Sequence, residues 1–209
     1  MNYIYLHGFA SGPASSKAGF FRARFAEAGI DLLVPDLAAG DFAHLTLSGQ
    51  LRVLAGAAGN GPAVLIGSSL GGYLAALYAA RHPETARLLL MAPAFGFPRR
   101  WPASLGSEQL ARWRETGFLE LYHYGDRCSR RLSHAILEDG ARYEDFPAFT
   151  QPALIFHGTR DAAVPVDLCR EFARGRPNVR LQEVDSDHEL LDAVDRIWRE
   201  ARDFLLGPA

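Results

Sequence analysis

Cysteine, lysine and long apolar runs are all scarce in this sequence of 209 residues. Cys128 and Cys169 are the only cysteines, and they lack the Cys-x-x-Cys spacing of a structural zinc site. Lys17 is the only lysine, and a net charge of −2 provides no basic field for nucleic acid. These shortages argue against a disulfide scaffold, a zinc module and a nucleic-acid partner.

Targeting and membrane signals are also missing from the sequence. No apolar run approaches the ~18 residues that a membrane-spanning helix needs. Residues 1–8 lack the basic region of a secretory signal peptide and end on a glycine after a few apolar residues. We therefore expect a cytoplasmic protein without a membrane span, whose oligomeric state the sequence leaves open.

What the sequence does contain is a regular alternation of short apolar runs with helical patterns. Hydrophobic residues make up 48% and charged residues 22% of the chain, as in a folded globular domain. Near-continuous apolar strands separated by helices are typical of a parallel sheet covered on both faces. The sequence thus predicts an α/β fold with a mostly parallel six-stranded sheet, its strands lying at 3–6, 31–35, 63–67, 87–92, 153–157 and 180–184.

One stretch, 97–147, interrupts the alternation with many aromatic residues and no predicted strand. A segment of this length is too long for an ordinary loop. We expect a small helical cap there, with helices near 108–115 and 127–138, inserted into a single domain that spans 1–209.

The sharpest motif is Gly67-Ser68-Ser69-Leu70-Gly71, which fits the pattern Gly-x-Ser-x-Gly. It directly follows a predicted buried strand and opens an Ala-rich helix, which is the context of a nucleophile elbow. At the helix N terminus, backbone N–H groups and the helix dipole favour developing negative charge. Ser69 is therefore the candidate nucleophile.

A serine nucleophile needs a base and an acid that orients the base. His188 follows the last predicted strand, where its imidazole is placed to take the Ser69 proton and return it to the leaving group. Asp161 follows the fifth strand and is the candidate that orients His188. The order Ser, Asp, His, each after a strand, is that of α/β-hydrolases.

Other residues near these positions are rivals for the same roles. Asp185 and Asp187 lie on the loop of His188 and are the alternative acids, although they suit turn formation better. His157 is the alternative base, but it closes a strand before a glycine, so we expect it to be structural.

An acyl-transfer site also needs two N–H donors for an oxyanion. The amide of Leu70 follows the nucleophile directly, and the loop after the first strand, His7-Gly8-Phe9, supplies a second. We choose the Phe9 amide as that donor and expect His7 to hold the loop.

The predicted cap offers aromatic residues for a substrate pocket, although such a cluster serves equally well as plain core. The candidate pocket residues are Trp101, Trp113, Phe118 and Tyr122. No metal or cofactor motif is present, so we expect chemistry without a cofactor or metal.

The opening Tyr5-Leu6-His7-Gly8-Phe9, followed by Ser15-Ser16-Lys17-Ala18, resembles the small intracellular esterases of the α/β-hydrolase superfamily, of the bacterial YqiA type. The elbow motif matches theirs, and Ser186-Asp187-His188 is similar to a branch that includes the mitochondrial depalmitoylating thioesterases. The resemblance implies hydrolysis of esters or thioesters without a cofactor. It also implies that two leading strands of the usual eight are absent.

The sequence therefore predicts a serine esterase or thioesterase acting on small or medium acyl substrates. An amidase, a peptidase or an acyltransferase would use the same residues. A hydrolase-fold protein that only binds its ligand is the alternative from a different class.

Overall fold

A computed structural model of the protein describes residues 1–207. Its central sheet has six parallel strands, as the sequence predicts, in the order β2-β1-β3-β4-β7-β8. These strands are β1 (Asn2–Leu6), β2 (Leu32–Leu33), β3 (Ala63–Ser68), β4 (Arg87–Met91), β7 (Ala153–Gly158) and β8 (Val179–Val184).

Helices cover both faces of this sheet. One face packs against α2 (Leu47–Ala58), α3 (Leu70–Ala79) and α7 (Asp167–Ala173). The other face packs against α1 (Ser16–Glu27) and α8 (Val194–Leu206). Side chains along β3 alternate between the two cores, and all six of its residues are buried, which explains its continuous apolar run.

Several element bounds differ from the sequence prediction. The pattern at 31–35 forms only a two-residue edge strand, β2. The last helix, expected to start at residue 189, begins at Val194 because Asp187 caps a turn with its side chain, accepting from the N–H groups of Glu189 and Leu190.

The segment between β4 and β7 contains the cap, 97–147, and here the prediction of a purely helical insertion is wrong. Helices α4 (Phe97–Ser104) and α5 (Ser107–Thr116) lead into an antiparallel hairpin, and α6 (Ala135–Gly140) follows it. The hairpin pairs β5 (Phe118–His123) with β6 (Cys128–Ser133), where we expected a helix over 127–138.

The alternating burial of β5 gives the physical reason for this difference. Leu119 and His123 are buried while Glu120 and Tyr122 are exposed, which is the period of two of a half-buried strand. Arg127 in the turn has a φ of 55°, a left-handed conformation that a helix cannot contain.

Candidate active site

The candidate site lies where the carboxyl ends of β1 and β3 meet. These strands are neighbours in the sheet, with Leu6 opposite Gly67, yet the chain leaves them in opposite directions along the sheet. Such a topological switch point opens a crevice in which α/β proteins bind their ligands. The loop after β1 and the turn after β3 therefore face each other, and an ideal Cβ on Gly8 would lie 3.5 Å from the Cβ of Ser69.

Ser69 is the single residue between β3 and α3, and its backbone conformation is strained. Its φ of 54° and ψ of −119° are unusual for a residue with a side chain. The surrounding backbone holds this conformation: Ser69 N–H donates to the Met91 carbonyl at 2.9 Å, while its own carbonyl accepts from Gly72 and Ala94. The turn thereby projects the Ser69 side chain from the end of the sheet.

The two motif glycines allow this tight turn. A Cβ on Gly67 would lie 2.4 Å from the Gly71 carbonyl oxygen, and a Cβ on Gly71 would lie 2.1 Å from the Leu6 carbonyl oxygen. Both distances are far below a van der Waals contact, so no side chain fits at either position. The spacing Gly-x-Ser-x-Gly is thus a packing requirement of strand, turn and helix.

The structure brings Ser69, His188 and Asp161 together in one series of hydrogen bonds. Ser69 Oγ lies 3.0 Å from His188 Nε2, and His188 Nδ1 lies 2.7 Å from Asp161 Oδ2. Because an ionised carboxylate can only accept, the Nδ1 of His188 carries the proton. Its Nε2 lone pair is then free to accept the hydroxyl proton of Ser69.

Asp161 is fixed by hydrogen bonds in a dry environment. Its side chain has no exposed surface, and its Oδ1 accepts from the backbone N–H groups of Ala163 and Val164 at 2.9 and 2.7 Å. Burial opposes ionisation, but hydrogen bonds from His157, His188 and the Val164 amide outweigh it and lower the pKa of Asp161 below its usual range. The carboxylate is therefore ionised at neutral pH.

The loop that carries His188 is tied to α1 by the sole lysine. Lys17 Nζ donates to the backbone carbonyl of Glu189 at 2.5 Å. Burial lowers the pKa of Lys17 to about 8, and the negative charges of Glu189, Asp187 and Asp161 oppose this shift. Glu189, the residue next to His188, is thus held by the Lys17 amine, whose pKa lies close to neutral pH.

The rival residues have other partners. Asp185 Oδ1 accepts from Arg160 Nε at 2.7 Å, and Asp187 caps its own turn. Asp161 lies between His188 and His157. The Nε2 of His157 is 3.1 Å from Asp161 Oδ2. None of the three is hydrogen-bonded to Ser69 within residues 1–207.

The two candidate oxyanion donors flank Ser69. Leu70 begins α3, and Phe9 follows Gly8 in the loop after β1. In the described part of the chain neither backbone N–H has a hydrogen-bond acceptor. His7 braces this loop, since its buried ring lies 3.0 Å from the Gly8 carbonyl through Nδ1 and accepts from the Leu37 N–H through Nε2.

The four candidate pocket residues occupy different environments. Trp101 packs against Phe9 with ring centroids 4.7 Å apart, so it lies beside the loop of the candidate oxyanion donor. Trp113 is buried in the cap and donates its indole N–H to the Leu132 carbonyl. Phe118 stacks under the Arg131 guanidinium. Tyr122 is exposed on the hairpin.

Two contacts between cap and site were missed by the sequence reasoning. Phe97 stacks parallel to Trp101, with centroids 5.3 Å apart, and completes an aromatic group with Phe9. The Tyr124 N–H, in the hairpin turn, donates to the Ala10 carbonyl at 2.7 Å. A backbone contact between loops that are far apart in the chain leaves no signal in the sequence. The proximity of Phe97 and Trp101, in contrast, could have been predicted from their spacing on a helix.

Neither a membrane helix nor a metal cluster is found among residues 1–207. No helix there is long and apolar enough to cross a membrane. The same residues contain no grouping of three or more His, Cys, Asp or Glu side chains suited to a metal ion.

Solved structures share this fold. Alpha/beta hydrolase domain-containing protein 10 from mouse superposes with a TM-score of 0.80 at 20% identity, over 97% of this chain and 88% of the other. Est1E from Butyrivibrio proteoclasticus with bound ferulic acid gives 0.79 at 20% identity, over 98% and 87%. A monoacylglycerol lipase from Paleococcus ferrophilus gives 0.78 at 17% identity, over 97% and 93%. These likenesses show the α/β-hydrolase fold.

Sequence comparison adds the family. No curated protein sequence matches the chain significantly. A family model described as "Uncharacterised protein family (UPF0227)" matches residues 2–205, which is nearly the whole chain. The chain, with its α/β-hydrolase fold, therefore belongs to the UPF0227 family.

Proposed function

We propose that this protein is a serine hydrolase that cleaves carboxylic ester or thioester bonds of small or medium acyl substrates. One observation carries the proposal: the unbroken series from Ser69 Oγ through His188 to Asp161 lies beside two amides without acceptors. A nucleophile, a base and an orienting acid in this order, with two candidate oxyanion donors nearby, support acyl transfer.

The first half of the reaction forms an acyl-enzyme. Ser69 Oγ attacks the carbonyl carbon while its proton passes to His188 Nε2 over the 3.0 Å contact. Asp161 stabilises the resulting imidazolium through Nδ1. The amides of Phe9 and Leu70 donate to the carbonyl oxygen as it becomes negative, and each such donor is worth about 10²–10³ in rate.

Departure of the leaving group completes the first half, and hydrolysis of the acyl-enzyme then returns the enzyme to its starting state. The His188 imidazolium gives its proton to the leaving alcohol or thiol, and the acyl group stays on Ser69 Oγ. His188 then takes a proton from water, whose oxygen attacks the acyl carbon. Collapse of that intermediate releases the carboxylic acid and reprotonates Ser69.

The proposed acyl substrate fits the surroundings of the site. Phe9, Phe97 and Trp101 form an apolar aromatic group beside the loop of one oxyanion donor, where an acyl or aryl portion would be desolvated. Relatives of the same fold include a lipase and a protein with bound ferulic acid, which is consistent with ester chemistry.

Labelling with a fluorophosphonate probe tests this proposal. We expect the wild-type protein to be phosphonylated once and the Ser69→Ala variant not at all. Ser129→Ala, which removes an exposed hairpin serine, should be labelled like the wild type. A folded wild-type protein that stays unlabelled would contradict the proposal.

A substrate series separates the alternatives. Turnover of p-nitrophenyl esters from acetate to octanoate, matched thioesters and matched anilides should show esters or thioesters cleaved well above anilides. Preference for anilides would indicate an amidase, and product formation only with an added alcohol would indicate an acyltransferase. Ligand binding without turnover of any substrate would indicate a binding protein.

A further inference from the structure

His157 is a buried histidine that the proposed mechanism does not use. It lies near the end of β7, and its side chain has no exposed surface. Its Nε2 lies 2.7 Å from the Val164 carbonyl oxygen and 3.1 Å from Asp161 Oδ2. Its Nδ1 lies 3.1 Å from the Sγ of Cys169 on α7.

The neighbours of the ring determine where its protons lie. A carbonyl oxygen and an ionised carboxylate are both acceptors only, so Nε2 must carry a hydrogen. Burial raises the pKa of the Cys169 thiol, so that the sulfur keeps its proton at neutral pH. The S–H group then donates to Nδ1, and His157 is the neutral tautomer with its hydrogen on Nε2.

This hydrogen restrains both oxygens of the Asp161 carboxylate. Its hydrogen bond goes to the Val164 carbonyl at 2.7 Å, and Asp161 Oδ2, the atom that accepts from His188, lies 3.1 Å from the same nitrogen, Nε2. The N–H of Val164 in turn donates to Oδ1 at 2.7 Å. One ring therefore fixes the carboxylate and the turn that wraps around it.

We propose that His157 is a positioning residue for Asp161, and that the Cys169 thiol holds the His157 ring in place from its Nδ1 side. The proposal extends the Ser69–His188–Asp161 series by two buried side chains. It rests on the proposed function only for its effect on turnover, because the hydrogen bonds themselves exist in the free protein.

The charges around His157 indicate the effect of removing it. Asp161 is the charged group in direct contact with His157. Glu183 lies opposite His157 on β8 and is ion-paired with Arg170 at 2.5 Å. Without the His157 N–H, Asp161 Oδ2 keeps more negative charge for its other partner. The ion pair of Asp161 with the His188 imidazolium is then stronger.

Two pairs of variants separate positioning from packing. His157→Leu removes the donor, whereas His157→Gln keeps an N–H at the reach of Nε2. Cys169→Ala removes the thiol proton, whereas Cys169→Ser keeps a hydrogen-bond donor. Denaturant unfolding of all four shows which are folded and how much stability each has lost.

Nitrogen-15 NMR of the histidine rings, without substrate, is the first measurement. We expect wild-type His157 to show the neutral tautomer with hydrogen on Nε2. In His157→Leu the titration midpoint of His188 should rise by about half a pH unit or more, and in His157→Gln it should return toward wild type. In Cys169→Ala His157 should keep its hydrogen on Nε2, because the Val164 carbonyl and Asp161 still require it, but the Nδ1 shift should change with loss of the S–H donor.

Ester turnover is the second measurement. We expect His157→Leu to lower kcat by roughly ten- to a hundredfold through misplacement of the His188 ring, with KM changed less than threefold. The acid limb of kcat/KM should move upward with the NMR midpoint. His157→Gln should restore most of both.

The outcomes distinguish the two proposals. An unchanged His188 midpoint in folded His157→Leu would overturn the positioning role even if esterase activity is strong. A wild-type protein without turnover but with the expected NMR shifts would overturn the proposed function alone. If His157→Leu does not fold, the other variants decide. A kcat loss of more than tenfold in folded His157→Gln would overturn the positioning role, and an unchanged Nδ1 shift in Cys169→Ala would overturn the role of Cys169.

Discussion

The loops at the strand ends and the cap both consist of short elements, but they differ in how deeply the neighbouring strands are buried. The turns bearing Ser69 and Asp161 emerge from β3 and β7, whose residues are all buried. In the cap, four of the six residues of β6 are exposed, and Trp113 packs with Leu132 at the edge of the core on one face of the sheet. Among residues 1–207, the cap meets the candidate site through the backbone hydrogen bond from Tyr124 to Ala10 and through the packing of Phe97 and Trp101 on Phe9.

This difference shows which part of the molecule fixes the positions of its residues most tightly. A strand buried on both faces has one position in the sheet, so a residue that follows it is placed within a narrow range. The cap hairpin has one solvated face, and its other face packs against Phe42 and the core. The sheet thus fixes the positions of Ser69 and Asp161, whereas the cap adds Trp101 beside Phe9.

The largest expected effect comes from the acid at the end of β7. Asp161→Asn should lower kcat about 10⁴-fold, because the amide favours the wrong His188 tautomer. Asp187→Asn, on the loop of His188 itself, is the matched control and should cost less than tenfold. Steady-state kinetics on one ester measure both, and equal losses would contradict the assignment of Asp161.

Removal of the cap core comes next. Trp113→Ala should lower the free energy of unfolding by about 3–5 kcal/mol, because it leaves a cavity and an unsatisfied Leu132 carbonyl. Tyr122→Ala, on the exposed face of the hairpin, should change it by less than about 0.5 kcal/mol. Urea unfolding gives both values. A small loss for Trp113→Ala would mean that the cap is not a packed structure.

Glycine substitutions compare the elbow with an ordinary helix. Gly71→Ala should cost about 3 kcal/mol, since its Cβ would meet the Leu6 carbonyl oxygen at 2.1 Å. Gly56→Ala, inside α2 with open space around it, should be neutral or stabilise by up to ~1 kcal/mol. Similar values for the two variants would show that the elbow tolerates movement.

The smallest effect is a pH dependence of stability at Lys17. Its pKa is about 8 in the folded protein and ~10.4 in an unfolded chain, so between these values the unfolded state binds more protons. Stability of the wild type should therefore rise from pH 8 to pH 10 relative to Lys17→Met. Lys17→Arg stays charged throughout and should show no such rise. Thermal unfolding at several pH values measures this, and parallel curves for wild type and Lys17→Met would contradict it.

Most of the sheet could be predicted from sequence because buried parallel strands are continuous apolar runs. The run Ala63–Ser68 gives both the strand and, through the glycines that follow, the position of Ser69. The six-stranded parallel sheet is confirmed by the structure, and the roles of Ser69, Asp161 and His188 stay predictions that their geometry supports.

The hairpin in the cap could not be predicted as easily, because β6 carries little hydrophobic pattern. In Cys128–Ser133 only Leu132 is buried, and consecutive arginines suit a helix as well as a strand. Its strand conformation follows from pairing with β5, a tertiary contact. The sequence predicts a structural role for His157, but its contact with Cys169, 12 residues further on another element, has no local signal.

The contact of Lys17 with the Glu189 carbonyl has a practical consequence for observing this molecule. Because the chain has one lysine, whose Nζ donates to the Glu189 carbonyl, an amine-selective dye has a single side-chain target. The label would sit one residue from His188. A fluorophore there would report in real time how the loop carrying His188 responds when an acyl group occupies Ser69.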